Sequence, residues 1–584
     1  MKTVVSTLNA KYIHTNIALR YLKAYAEPEF EVDMAEYTIK DPAINIVSDL
    51  YSKKPDVLGF SCYIWNIEET IPVISMLKKI NPNLKIILGG PEVTYDVVDW
   101  MKRIPEVDAI VIGEGEATFK KILQQFSTDG DLSEVPGIAY RRLDGEVKVN
   151  PQRDKIDLNT IPSPNRFPED LDALSKRVVY LETSRGCPFS CQFCLSSIEV
   201  GVRYFNRERV KEDILFLMEH GAKTIKFVDR TFNISRSYAM EMFAFLIDNH
   251  REGTVFQFEI TADIMRPEVL QYLNKNAPEG LFRFEIGVQS TNDDVNDLVQ
   301  RKQNFNKLAR TVTMVRDGGK IAQHLDLIAG LPEEDYNSFR KTFNDVFAFG
   351  PEELQLGFLK MLRGTGLRLR AKDHGYTYMD HSPYEILGNN VLSFDEIIRI
   401  KRVEDVLEKY WNDHRMDTTV LYTINNVFPS AFDFFQAFGD YWDKKGWARI
   451  GHQLEDLYTR LHEFLTNVET DKLPVIEAMM KYDYFLHHKY KPRKVWWDFS
   501  LSKDEQSRYL KAIADNPSLL GEEFAHMKIS ERDLHKHTMI EVLPFNIEEY
   551  KQSGEIVEQE TLLLAFFDPK EQKTSTYCAP LSNI

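Results

Sequence analysis

Val178-Val179-Tyr180-Leu181-Glu182-Thr183-Ser184-Arg185-Gly186-Cys187-Pro188-Phe189-Ser190-Cys191-Gln192-Phe193-Cys194 is the stretch that decides the fold. Val178 to Glu182 is β-branched and apolar and predicts a buried strand. Thr183 to Gly186 read as a turn. Three of the chain's five cysteines then fall within eight residues, while Cys62 and Cys578 stand far away. A disulfide framework would spread an even number of cysteines through a small exported chain. Clustered thiolates in a reducing compartment point instead to metal. Structural zinc takes four ligands, usually in two pairs, but the spacing here is CxxxCxxC with no fourth ligand in sequence reach. Cys187, Cys191 and Cys194 can hold three irons of a [4Fe–4S] cube and leave the fourth open to a substrate or cofactor. Spacing alone leaves a zinc site or three unrelated buried cysteines as alternatives.

Outward from this loop the pattern alternates. Strands are predicted at Thr224 to Asp229, Val255 to Asp263, Leu281 to Ser290, Ile321 to Ala329 and Glu353 to Lys360. Helical spacing lies between them, at Arg209 to His220, Ser237 to Asn249, Pro267 to Asn274, Asp294 to Asp317 and Tyr336 to Phe349. Such units imply parallel strands with right-handed crossovers. With the first strand they give a partial (βα)6 barrel over residues 173–380. The cysteine loop sits at the C-terminal end of its first strand, where α/β barrels place their chemistry.

The cysteine loop, with Phe193 before its last cysteine, resembles that of the radical S-adenosylmethionine (radical SAM) enzymes, over about Val178 to Leu367. Gly287-Val288-Gln289-Ser290 is similar to that family's fourth-strand motif. Arg301 lies twelve residues beyond Gln289, and Asp326-Leu327-Ile328-Ala329-Gly330-Leu331-Pro332 matches a strand of the coproporphyrinogen-oxidase-like branch. Glu259 fits its acidic position on the third strand. The resemblance implies that Gln289, Arg301, Asp326 and Glu259 hold the ribose and methionine parts of SAM. The chemistry is apt, since carboxylates and amides bind hydroxyls and an ammonium, and Arg suits a carboxylate. One departure is that Val228-Asp229-Arg230-Thr231 replaces the family's Gly-Gly-Glu. Asp229 is then the candidate for the SAM ammonium.

Residues 1–134 read as a separate doubly wound α/β module. Strands are predicted at Lys2 to Leu8, Phe30 to Glu36, Val57 to Tyr63, Leu84 to Leu88 and Ala109 to Ile112, with helices such as Thr15 to Tyr25 and Ile67 to Ile80. Such sheets bind ligands beyond their strand ends. Glycines there let the backbone approach a bulky flat ligand. Gly89-Gly90-Pro91-Glu92-Val93-Thr94 and Gly113-Glu114-Gly115-Glu116 resemble the cobalamin-binding domain of B12-dependent radical SAM enzymes, which implies cobalamin near Gly89, Gly90, Gly113 and Gly115. His14 is either a cobalt ligand or a loop histidine at a helix start. Residues 135–172 carry a hairpin signal, Leu143-Asp144-Gly145-Glu146, and a linker with four prolines, Pro151, Pro162, Pro164 and Pro168.

Residues 381–584 read as a mainly helical domain, as at Phe394 to Tyr410 and Ile450 to Asn467, with a strand near Leu562 to Phe567. It resembles the extension of unknown role in a subgroup of B12-binding radical SAM proteins. Tyr484 to Trp497 is basic and aromatic, either an anion-binding stretch or a surface turn before buried tryptophans. His487-His488 is a weak metal signal, because adjacent residues do not share one helix face. Cys62 reads as a structural thiol, and Cys578 as part of a loose terminus. Two cysteines are too few for a second cluster.

The chain has 584 residues, 43% hydrophobic and 28% charged, with a net charge of −17. Those values exclude a mostly disordered chain and disfavour nucleic acid, which requires a basic footprint. No run of about 18 apolar residues predicts a membrane span. The N-terminus lacks the apolar core of a signal peptide, so the expected location is cytoplasmic. The resemblances together imply cleavage of SAM at the cluster to a 5′-deoxyadenosyl radical. They favour methylation of an unactivated carbon of a substrate, small-molecule or unknown, that no motif identifies and whose pocket is expected between the modules with the C-terminal third. Electrons would come from a reductant such as flavodoxin or ferredoxin. Radical cyclisation or rearrangement is the alternative enzyme class, and a cobalamin or redox sensor the non-enzymatic one.

Overall fold

Five apolar runs separated by amphipathic helices build the first sheet. β1 (Thr3–Asn9), β2 (Val32–Thr38), β3 (Val57–Ser61), β4 (Lys85–Gly89) and β5 (Ala109–Val111) are parallel, and they alternate with α1 (Ile17–Ala26), α2 (Ala43–Ser52), α3 (Ile67–Ile80), α4 (Val97–Arg103) and α5 (Glu116–Ser127). The structure is a computed structural model that describes residues 1–142, 144–198, 201–488 and 495–584. The strand order β2-β1-β3-β4-β5 reverses between β1 and β3, which opens a crevice at their C-terminal ends. Both faces are covered. Val4, Leu8, Ile74 and Trp100 pack on one side, and Val5, Leu19, Phe119 and Ile122 on the other. The predicted hairpin is not a free element: β6 (Ile138–Arg141) and β7 (Val147–Val149) extend this sheet antiparallel from β5 to seven strands. Leu143, in its turn, lies outside the described residues.

The second sheet has the six parallel strands expected. β8 (Val178–Leu181) leads to the short antiparallel pair β9 (Ser184–Arg185) and β10 (Arg203–Tyr204), and then come β11 (Thr224–Phe227), β12 (Val255–Ile260), β13 (Phe282–Gln289), β14 (Ala322–Ala329) and β15 (Glu353–Phe358). They stand in the order β8-β11-β12-β13-β14-β15. The connecting helices are α6 (Arg207–Glu219), α7 (Arg236–Asn249), α8 (Pro267–Asn276), α9 (Asp293–Leu298), α10 (Phe305–Gly318) and α11 (Tyr336–Phe347).

Strand alternation decides which face meets the helices. On β13, Phe282, Phe284, Ile286 and Val288 are buried, while Arg283, Glu285, Gly287 and Gln289 are half-buried on the opposite face. Phe243 of α7 meets Phe258 edge-on, with centroids 5.3 Å apart. Each such phenylalanine contributes about 1.5–3 kcal/mol on burial.

The single helix predicted from Asp294 to Asp317 is two. Gln300 adopts a left-handed φ of 55°, and the Arg301 N–H turns back to the Asn296 carbonyl at 2.8 Å. Asn304 then starts α10 by accepting from Lys307 N–H at 2.9 Å. After β15, where helix was expected from about Pro383, a small hairpin comes first: β16 (Thr377–Tyr378) and β17 (Ile386–Gly388). It ties to the end of β15 through Ile386 N–H and Leu359 O.

Contacts divide the chain into two units, Met1–Ile397 and Ile398–Ile584. The second holds helices Asp417–Val427, Ala431–Lys444, Leu454–Val468 and Leu473–His487, and a three-stranded antiparallel sheet of β18 (Thr538–Phe545), β19 (Glu558–Asp568) and β20 (Lys573–Pro580). Leu510, Ile513, Phe524, Leu562 and Leu564 form its core against that sheet. Cys578, read as part of a loose terminus, lies inside β20 opposite Leu563, and burial pushes its thiol up to about 12. Of the basic aromatic stretch, 489–494 lie outside the described residues. Trp496 stacks on Tyr458 at 5.3 Å, and Trp497 donates to Glu541 at 2.9 Å. No helix among the described residues is long and apolar enough to cross a membrane.

Glu92 adds a pH dependence to the first unit, alongside Glu182 and Glu334, whose carboxyls burial also raises to about 7. Glu92 is buried and accepts from the Tyr384 hydroxyl at 2.5 Å. Burial raises its pKa from 4.5 to about 7, against the pull of Tyr384, Arg363 and Arg368. A raised folded-state pKa stabilises fully below the unfolded value and loses that stabilisation as pH rises through the folded one. The melting temperature of this unit should therefore fall as pH rises from 4.5 through about 7. Glu92→Gln should flatten that fall, and parallel thermal-melt profiles for the two proteins would refute the assignment.

Candidate active site

The cysteine loop is anchored at its neck by backbone geometry. Gly186 has φ +98°, and a Cβ there would stand 2.0 Å from the Gly201 carbonyl oxygen. Gly201 N–H donates to Cys187 O at 3.2 Å. Ser197 Oγ donates to the carbonyls of Cys191 and Cys194 at 2.6 and 2.7 Å. Further out, Gln192 N–H donates to Val299 O at 2.8 Å, and Leu367 N–H to Gln192 O at 2.9 Å. The loop is thus bound to the segment carrying Arg301 and to the chain after β15.

The thiols face polar groups. Thr231 and the Phe189 N–H favour the Cys187 thiolate, and the nearby Arg301 cation favours that of Cys191. Burial pushes both thiols up, and the neighbouring cysteines add to this. Their thiolate forms therefore require a cation, which iron would supply. Among the described residues no three Cys, His, Asp or Glu side chains converge on a single-ion site. A cube does not demand that, because each thiolate meets a different iron.

Gln289 and Arg301 come together beside Gly287. A Cβ at Gly287 would lie 2.4 Å from Gln289 Nε2 and 3.7 Å from Arg301 Nη2. Gln289 is held at φ +68°, and its Oε1 is buried without a hydrogen-bond partner. An orphaned acceptor here fits a ligand hydroxyl or ammonium. Asp326 stands across from Gly287 on β14, and Glu259 across from Glu285 on β12. Burial raises the Glu259 carboxyl, with Arg230 and Lys226 opposing. His324 bonds Asp326 and Glu353, both at 3.0 Å; burial opposes its charge, but the two carboxylates lift it to about 10.

Asp229 follows β11, whose neighbour β12 carries Glu259. It is buried beneath the cysteine loop, where Oδ2 accepts from Thr183 N–H at 3.1 Å and Oδ1 from the hydroxyls of Thr183 and Ser184. Its oxygens are turned to the loop.

In the first module, Gly89, Gly90, Gly113 and Gly115 line a narrow, mainly apolar slot of about 160 Å³ with Ala18, Leu22 and Phe119. Gly90, at φ +106°, lies on Cys62: a Cβ would fall 2.5 Å from the Cys62 carbonyl oxygen. A Cβ at Gly113 would meet nothing within 4 Å. A slot bordered by close-set backbone suits a flat ligand group, as the cobalamin reading requires. A second cavity of about 450 Å³ lies between the two sheets' modules. Tyr63 and Trp65 stack on one wall at 4.3 Å. His14 lines it too, with Nδ1 2.8 Å from the Tyr180 hydroxyl, and burial lowers its pKa.

Sequence reasoning missed Arg185, Glu114 and Glu116. Arg185 donates to Glu182 at 3.0 Å, to Glu114 at 3.2 Å and to Glu116 at 2.6 Å. The signal was present, since both glutamates alternate with the glycines that were singled out.

A doubly wound module joined to a six-stranded half-barrel, with three cysteines after its first strand, defines the class of cobalamin-binding radical SAM proteins. Family models match in the same order: the B12 binding domain over residues 3–123, the radical SAM superfamily over 181–346, and a protein of unknown function, DUF4080, over 372–565. The chain thus carries a B12-binding domain followed by a radical SAM domain. It is similar to an uncharacterised methyltransferase of Pyrococcus horikoshii, 33% identical over 236 residues, which are 39% of this chain and 51% of that one. It is 28% identical over 364 residues to the 2-(S-pantetheinyl)-carbapenam-3-carboxylate methyltransferase of Streptantibioticus cattleyicolor, covering 57% and 51%. Its fold is like that of the radical SAM methyltransferase TsrM from Kitasatospora setae, solved with cobalamin and a [4Fe–4S] cluster. The TM-score is 0.55 at 14% identity, over 65% of this chain and 78% of that one. The chain spans about half the length of the curated relatives it matches.

The neck of the cysteine loop yields a direct test. Gly186→Ala combines a left-handed φ with a backbone clash, and the strained φ alone costs about 1–3 kcal/mol. The variant should retain less than about half of the wild-type iron after anaerobic reconstitution, with its far-UV circular dichroism unchanged. Full iron retention would show that the neck does not govern cluster assembly.

Proposed function

We propose that this protein is a cobalamin-dependent radical SAM enzyme that methylates an unactivated carbon of a small-molecule substrate. The observation that carries the reading is that Arg301 bonds Gly287 O beside the orphaned Oε1 of Gln289, while the cysteine loop is tied to the same segment through Gln192 N–H and Val299 O. The cysteine loop and an orphaned acceptor thereby share one segment. When bound, the cluster supplies the electron that splits SAM into methionine and a 5′-deoxyadenosyl radical, and cobalamin supplies a methyl carrier.

The chain's own residues do the rest. Cys187, Cys191 and Cys194 would hold the cluster, and three thiolates would leave it able to take SAM. Arg301 pairs with the methionine carboxylate beside the cluster. Gln289 Oε1 and the carboxylates of Asp326 and Glu259 accept from ribose hydroxyls or the ammonium. Asp229 keeps the cysteine loop seated, so it is a positioning residue. Gly89, Gly90, Gly113 and Gly115 leave room for cobalamin. The Tyr63–Trp65 stack and the cavity beside it receive the substrate. Electrons come from an external reductant such as a flavodoxin or ferredoxin.

The test is one anaerobic preparation. The cluster is reconstituted, hydroxocobalamin is added and the excess removed, and SAM turnover follows under reduction. Stoichiometric iron and cobalt with 5′-deoxyadenosine are expected, with S-adenosylhomocysteine marking methyl transfer. Cys191→Ala should abolish 5′-deoxyadenosine. Turnover of SAM without S-adenosylhomocysteine would overturn methylation, and iron without cobalt, after titration, would overturn the cobalamin assignment.

A further inference from the structure

Glu116 stands between two sites. It opens α5, lies 5% exposed, and is the one carboxylate among the described residues lining the 160 Å³ slot of the first module. Its Oε1 takes the Arg185 guanidinium at 2.6 Å. Its Oε2 is buried without a hydrogen-bond partner. Arg185 lies two residues before the first cluster cysteine. It also lines the 450 Å³ cavity between the modules. A buried carboxylate oxygen without a partner, on a residue that lines an apolar slot, is expensive unless a donor arrives.

We propose that Glu116 couples cobalamin binding to the cluster loop: one oxygen holds Arg185, and the other accepts a hydroxyl or amide N–H of the cobalamin nucleotide. This rests on the cobalamin reading above. The slot is too small for a corrin ring and of the size of a bicyclic base, so the donor belongs to the nucleotide end. Filling Oε2 fixes the carboxylate plane, and with it the position of Arg185. Through Gly186 the same constraint reaches Cys187. Linkage is reciprocal, so an assembled cluster tightens cobalamin as much as cobalamin stabilises the loop.

Glu116→Gln separates the two roles, because an amide offers an acceptor to one side and a donor to the other. One of its two contacts must become donor against donor. Binding of hydroxocobalamin and of dicyanocobinamide, which lacks the nucleotide, is measured spectrophotometrically on the full chain with and without its cluster. In the wild type the cluster should tighten cobalamin by about fivefold or more. Glu116→Gln should weaken cobalamin by about tenfold and leave cobinamide within about twofold, which also shows that the slot's module is folded. Arg185→Lys, which keeps the charge but loses the planar fork that fixes the geometry among three carboxylates, should reduce the cluster's effect on cobalamin to about onefold. Equal weakening of both corrinoids, or of neither, overturns the nucleotide contact. A cluster effect that survives Arg185→Lys overturns the coupling. A wild-type protein that binds neither corrinoid overturns the cobalamin reading itself and this inference with it.

Discussion

Arg185 is the residue on which the functional half of the molecule turns. Its guanidinium sits among Glu182 from the barrel's first strand end and Glu114 and Glu116 from the first module. A cation taken largely out of water is tolerated only when its donors are matched, and the planar fork of Arg can meet several carboxylates at once. The two modules therefore have to present their strand ends to each other in one arrangement. The rings of Tyr21 and Phe205 lie within 5.3 and 5.6 Å of the guanidinium carbon and shield the group. A second buried set closes the other end of β8. Glu36 accepts from Arg20 at 3.1 Å and from Arg177 at 2.8 Å, and Arg20 also pairs with Asp170 at 2.8 Å. The first strand of the half-barrel is thus clamped at both ends to the module that precedes it in sequence. The cysteine loop inherits that position.

Much of this was legible because strand alternation and glycine placement are local signals. The six barrel strands, the five parallel strands of the first module and the cysteine loop all followed from them. The break between α9 and α10 did not, because apolar spacing runs on through Val299 while the turn depends on Gln300 taking a left-handed φ. That turn carries Arg301 back to Gly287 and Gln289, so the irregularity and the candidate site are one feature. β20 was missed because Lys573-Thr574-Ser575-Thr576 reads as a polar tail, and only pairing with the apolar β19 makes it a strand. β6 and β7 were seen as a hairpin, but what they pair with is a tertiary fact. Glu114 and Glu116 were passed over as spacers between glycines, since their partner lies in another module. Asp229 was read for its charge, whereas its surroundings are hydroxyls and a backbone N–H.

The inner face of the half-barrel departs from the branched apolar filling of closed barrels. Lys226 pairs with Glu285 at 2.6 Å, Arg283 with Glu353 at 2.6 Å, and His324 with Asp326 and Glu353. Three cations thus face three carboxylates, with His324 held charged to about 10 and Glu353 lowered to about 2, first by its bond to His324. Glu259 and Glu182 are additional carboxylates, and burial raises both, Glu182 to about 7 despite Arg185. Each would carry its negative charge more readily beside a further cation. A ligand with a sulfonium and an ammonium is such a cation. The paired charges fix the walls, and the added carboxylates tilt the cavity's preference toward a positively charged guest. Both effects follow from strands that place apolar residues against the helices and leave every second position to polar chemistry.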